Sequence, residues 1–122
     1  MLLITLLLAA ADCGNLRTQT AMTACAGQSY AAADAEMTRH WKVTYAYMKG
    51  RDAHDTSRGG GFGYAAAALA SQRAWLQYRD TQCVIEGGEF AGGTLQPMAQ
   101  AQCKARLTKA RTAQLKALVW RT

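Results

Sequence analysis

The side chains able to carry chemistry are few. His40 and His54 are the only imidazoles, so general-base catalysis near neutral pH would fall to one of them. Asp52, His54 and Asp55 sit together, but short runs of acid and histidine are common on surface loops. No H-E-x-x-H spacing is present to hold a catalytic metal. The glycines of 59–63 could cradle a phosphate only between a strand and a helix of a β-α-β unit, and no strand pattern precedes them. These absences point away from an enzyme, and no cofactor is expected.

Four cysteines remain, Cys13, Cys25, Cys83 and Cys103, with no C-x-x-C pair among them. Zinc sites use short paired spacings, which this chain lacks. In an oxidising compartment an even number of cysteines in a small domain reads as disulfides. Three pairings are open. Cys13–Cys25 and Cys83–Cys103 are expected, because each brackets one local segment and needs no interlocked topology.

Export is also the reading of the N-terminus. Residues 1–11 are uncharged, strongly apolar and end in small residues, with Ala9 and Ala11 placed as a cleavage pair before Asp12. The run is shorter than the ~20 residues a bilayer span requires, so a transmembrane helix is not expected. Asp12 is a poor residue to precede a lipidated Cys13. The usual basic n-region is missing, so the natural start is expected upstream of Met1. We therefore divide the chain into a signal peptide, 1–11, and one domain, 12–122, in the periplasm or outside the cell.

The elements that position these groups read as helices. The chain has 122 residues, half of them apolar, and one proline, Pro97. Charged residues make up 18%, below the roughly 25% of typical soluble domains. Alanine-rich helices that approach closely fit this composition. A first helix follows Thr18 as N-cap, with Met22, Cys25, Ala33, Met37, Trp41, Thr44 or Tyr45, and Met48 at helical spacing. Gly27 leaves it either one kinked helix or two in series. Tyr30, Trp41, Tyr45 and Tyr47 on it are expected in the core. Residues 50–63 form a glycine-rich connector. A second helix spans about 64–86, with Ala65, Leu69, Gln72, Leu76, Arg79 and Cys83 on one face and Gly87-Gly88 as its stop. A third begins near Pro97 and is expected to bury Cys103, Leu107, Ala110, Gln114 and Leu118. The fold class expected is all-α, a small antiparallel bundle of three to four helices stapled by two disulfides.

The run Gln72-Arg73-Ala74-Trp75-Leu76-Gln77-Tyr78-Arg79-Asp80-Thr81-Gln82-Cys83 resembles the Q-R-A-W-x-x-[FY]-R-D-x-x-C signature of the LprI-like lysozyme-inhibitor family. Thr18-Gln19, Met22 and Cys25-Ala26 are similar to that family's entry motif, and Cys103, Arg106-Leu107-Thr108 and Arg111 extend the likeness downstream. Two departures stand out. Ala21 replaces a frequent glutamate, and the glycines of 59–63 are unusual. The resemblance implies an exported, helical, disulfide-bonded domain, with lysozyme inhibition as the activity that gives the family its name. The signature residues also read as scaffold. Arg79 lies on the apolar face beside Trp75, flanked by Arg73 and Asp80, and Arg111 is expected to pair with Asp80, since a buried arginine without an acid is costly.

Function then divides. An inhibitor of lysozyme or a related muramidase could offer cations to the two carboxylates of such an enzyme. The 50–63 connector, with Arg51, His54 and Arg58, is the candidate contact. A net charge of +6 would repel a basic lysozyme at long range, so local complementarity or an acidic target is needed. Alternatively, Arg106, Lys109 and Lys116 on the third helix could bind peptidoglycan or another anionic envelope polymer, through contacts that salt weakens. Nucleic acid is not an expected partner outside the cytoplasm.

Overall fold

The computed structural model describes residue 13 and residues 16–55 and 59–120; the expected signal segment 1–11 and Arg58 lie outside them. Three helices organise the chain: α1 (Gln19–His54), α2 (Tyr64–Gly88) and α3 (Gln96–Ala117). No strand occurs among the described residues.

Helix α1 begins where Thr18 leaves the extended region and its hydroxyl accepts the Ala21 N–H at 3.1 Å. It continues unbroken for 36 residues through Gly27, as one helix rather than two. A side chain at Gly27 would meet nothing within 4 Å, so this glycine is not there to relieve crowding. Helix α2 returns along α1, since Asp34 reaches Arg79 and Met37 reaches Gln72. Helix α3 reverses again: Gln19 meets Met98, and Thr44 donates to the Leu115 carbonyl at 2.8 Å. The bundle is therefore antiparallel from each helix to the next. Helix α1 rests mainly on α3, α3 also holds α2, and α1 and α2 touch least.

The core is thin. Its buried apolar members are Ala26, Ala33, Met37, Met48, Cys83, Cys103, Ala105 and Leu115. Alanine, threonine and cysteine there allow close helix approach, and two disulfides fasten the result. Cys13 is bonded to Cys25 and Cys83 to Cys103, with Cα atoms 5.6 and 5.5 Å apart. The second bond lies fully inside, where it clamps α2 to α3.

Three expectations need correction. The α3 face turned inward is Cys103, Ala105, Thr108, Arg111, Thr112 and Leu115, whereas Ala110 and Gln114 are exposed. Threonines look polar in a sequence, but in a helix the hydroxyl can return to its own backbone; Thr112 donates to the Thr108 carbonyl at 3.2 Å. The aromatic residues of α1 are not the core either. Tyr30, Trp41, Tyr45 and Tyr47 are half-buried along its flanks, where Tyr30 and Tyr45 meet cations. Finally, Gly87 and Gly88 are the last helical residues of α2 and not a left-handed cap; the positive φ of that link belongs to Gly92, at 79°. Gly87 is buried because α3 crosses there, and a Cβ on it would lie 2.3 Å from Gln100 Cγ.

Candidate functional site

Two arginines fill the interior where hydrophobic residues would be expected. Arg79 is 6% exposed and stands between carboxylates: Nε donates to Asp80 at 2.9 Å and Nη1 to Asp34 at 3.2 Å. The faces of Tyr30 and Trp75 lie 5.2 and 5.4 Å from its guanidinium carbon. Desolvation pulls its pKa down, the hydrogen bond to Asp80 and the neighbouring charges outweigh it, and the net shift is upward. This is the expected arginine under an aromatic lid, with Asp34 as an acid the sequence did not single out. Arg73, by contrast, is exposed on the side of α2.

Arg111 departs from expectation. It does not meet Asp80, which serves Arg79. Its Nε donates to Gln72 Oε1 at 2.9 Å, and its remaining N–H groups reach Gln114 and Ser71, each at 3.2 Å. Neutral amide and hydroxyl acceptors satisfy the guanidinium without cancelling its charge, and desolvation lowers its pKa. The reason lies in the α3 register. With Thr108 and Thr112 facing inward, Arg111 points at the first half of α2, beyond the reach of Asp80.

Between α1 and α2, where contact is least, an open cleft of about 450 Å³ forms over Arg79. Tyr30, Asp34, Trp41, Gln72 and Arg73 border it, so the resembling motif and the acid opposite it meet in one place.

The connector end is built differently from the sequence reading. Arg51 and His54 belong to the last turn of α1, not to a loop. Arg51 lies against the rings of Tyr64 and Trp120, each 4.9 Å from its guanidinium carbon, while the two rings meet edge-to-face, and its Nη1 lies 3.5 Å from Tyr47 Oη. Tyr47 in turn donates to the Trp120 carbonyl. The Nε of Arg51 is buried without a hydrogen-bond partner. His54 is exposed.

Asp52 was missed as a structural residue. Its carboxylate accepts the N–H groups of Gly63, Tyr64 and Ala65 at 3.0, 3.0 and 2.9 Å, capping α2 from across the connector. Those backbone hydrogen bonds, Ala65 first, hold its pKa below the usual carboxylate value. Gly61 passes so close that a Cβ would fall 2.6 Å from Asp52 Cβ, and its φ is +99°; only glycine fits. A D-x-H-D cluster in a sequence gives no hint that its first acid reaches eleven to thirteen residues ahead.

On α3, Arg106, Lys109 and Lys116 are exposed as expected. Arg106 is engaged with Glu86 of α2 at 2.5 Å, which lowers the Glu86 pKa. Arg106 and Lys109 border a second cleft of about 390 Å³, beside the Cys13 end of the chain, while Lys116 lies further along the helix. No group of three metal-ligating side chains occurs among the described residues, and none of their helices is long and apolar enough to cross a membrane.

Comparison with known proteins places this architecture. An uncharacterized protein of Rhizobium meliloti (strain 1021) is 39% identical over 109 residues, covering 88% of this chain and 78% of its own. No solved structure matches. The family model described as lysozyme inhibitor LprI matches residues 10–115, which takes in both disulfides, the Arg79 network and nearly all of the three helices. The chain belongs to the LprI lysozyme-inhibitor family.

Proposed function

We propose that this protein is an exported, non-catalytic binding protein that acts on a lysozyme or related muramidase through the α1–α2 end of the bundle. Family membership supports the target class. One observation carries the choice of surface: the glycine-rich connector is braced at its base. Asp52 ties α1 to the N–H groups of Gly63, Tyr64 and Ala65 at the start of α2, and Arg51 lies against the rings of both Tyr64 and Trp120. A connector whose two ends are already fixed binds with a smaller ordering cost. His54 is exposed on the last turn of α1, and Arg58 follows it in the connector sequence; these two are the candidate contacts, since Arg51 is occupied in the brace. The two disulfides fit an oxidising compartment, periplasmic or extracellular.

The test is inhibition of several lysozymes, basic and acidic, by the oxidised protein across a salt series. Stoichiometric inhibition that weakens at least tenfold in His54→Ala/Arg58→Ala, with an unchanged thermal midpoint, is expected. Full potency in that variant would remove the connector from the interface. A second reading rests on Arg106 and Lys109 sharing one cleft: an envelope-binding face for anionic polymer such as peptidoglycan. It predicts cosedimentation with cell-wall material that falls steeply with salt, and salt-insensitive binding would count against it.

A further inference from the structure

The outward face of α2 is unlike those of its neighbours. Helix α1 presents Arg39, Lys42 and Lys49 to solvent, and α3 presents Arg106, Lys109 and Lys116. Helix α2 turns Ala67, Ala70, Ala74, Tyr78, Thr81 and Ile85 outward, all exposed and none charged, over about five turns. Tyr78 is 52% exposed, Val84 62% and Ile85 70%. The charges of α2 lie elsewhere: Arg79 is buried, Glu86 is turned to α3, and Arg73 and Asp80 stand together on one flank. A surface helix normally places its charges opposite the core. An uncharged face with exposed large apolar residues marks an interaction surface.

We propose that this face pairs with the same face of a second copy, the two α2 helices running antiparallel about a two-fold axis at Leu76 and Gln77. In a two-fold interface each contact occurs twice with the roles exchanged. The stripe is graded to suit that symmetry, with small residues in its first half and large ones in its second. Antiparallel pairing about the stated point brings Ala67, Ala70 and Ala74 to within one residue of the levels of Ile85, Val84 and Tyr78 of the second copy. Large side chains thus meet flat alanine surface, and the axes can approach closely.

The flanking charges obey the same centre. Residues seven apart share a flank, and in an antiparallel pair equal flanks face one another. Arg73 of each copy therefore meets Asp80 of the other, and the Asp80 side chain remains 54% exposed while holding Arg79. That reciprocal pairing of opposite charges is what selects a second copy as the occupant; a net charge of +6 repels two copies at long range, and the outward face of α2 is the one among the three helices that adds no cation to the repulsion. This pairing lies on a different surface from the proposed muramidase contact and does not depend on it.

Sedimentation equilibrium of the exported, oxidised protein tests the proposal. A reversible dimer with a dissociation constant on the order of 10–100 µM is expected for a single helix–helix interface. Ala74→Glu places an unpaired charge at its centre and raises that constant by about 100-fold or more, with the circular dichroism spectrum unchanged. A wild-type protein that stays monomeric up to roughly 500 µM, leaving the face to some other protein, overturns the proposal. So does an Ala74→Glu variant that dimerises as before. If that variant folds poorly, Gln77→Cys decides: a short bismaleimide should join two copies through position 77 and fail with Arg39→Cys, and equal cross-linking or none at either position refutes the two-fold geometry.

Discussion

At the scale of single residues, the two buried arginines are held by partners of different kinds, Arg79 by the carboxylates of Asp34 and Asp80 and Arg111 by the neutral oxygens of Gln72, Gln114 and Ser71. The arginine of the Trp75–Asp80 segment announced its role, because an arginine on an apolar stripe must find acids, and Asp80 was adjacent. Arg111 gave the same signal and the wrong partner, since its orientation depends on an α3 register that hydropathy did not reveal. Asp52 gave no signal, because its three hydrogen bonds run to backbone groups beyond a glycine-rich connector. Its role sets a pH dependence. The folded carboxylate titrates below its ordinary value of 3.8, so its stabilising contribution is complete above that value. It is lost as pH falls through the folded pKa. Glu36 and Glu86, also lowered, add to the same acid slope in the wild type. The Asp52→Asn variant isolates the Asp52 part: its thermal midpoint should lie below wild type at pH 6, and the gap should narrow below pH 3.8. A gap of constant size down to pH 2.5 would mean that the carboxylate charge is not what caps α2.

At the scale of helices, existence and order were legible and register was not. Thr18, the glycine-rich connector and Pro97 punctuate the chain in ways that backbone chemistry reads directly. The inward face of α3 was hidden because Ala105, Thr108 and Thr112 are buried by being small, not by being apolar. Glycines illustrate the same distinction. Gly27 and Gly87 look equivalent in the sequence, each inside a helical pattern. Gly27 has open space around its missing side chain, so Gly27→Ala should stabilise the protein by about 0.5–1 kcal/mol through helix propensity. Gly87 meets Gln100 where α3 crosses, and Gly87→Ala should destabilise by about 1–3 kcal/mol through overpacking. Urea unfolding of the two variants measures both. A Gly87→Ala protein as stable as wild type would show that Gln100 turns aside freely and that the α2–α3 crossing is not tightly packed.

At the scale of the whole molecule, the balance between core and covalent links decides stability. The largest side chains that are almost wholly buried are Leu115, Thr44, Thr108, Cys83 and Cys103, so two of the five belong to one disulfide and two are threonines. A core this poor in leucine and phenylalanine buries little apolar surface for its length, and small domains of that kind commonly depend on cross-links. The two links are not equivalent. Their ring sizes, spanning separations of 12 and 20 residues, differ too little for loop entropy to separate them, at roughly 3 kcal/mol each. Their surroundings do separate them. Cys83 and Cys103 are fully buried at the α2–α3 contact, whereas Cys13 and Cys25 are half-buried at the entrance to α1. Replacing Cys83 and Cys103 by alanine removes packed sulfur as well as the constraint, so it should lower the thermal midpoint further than the same change at Cys13 and Cys25. Calorimetry of the two double variants checks this. Equal losses would mean that the cross-links act on the unfolded chain alone, and that α2 and α3 pack as well without sulfur between them.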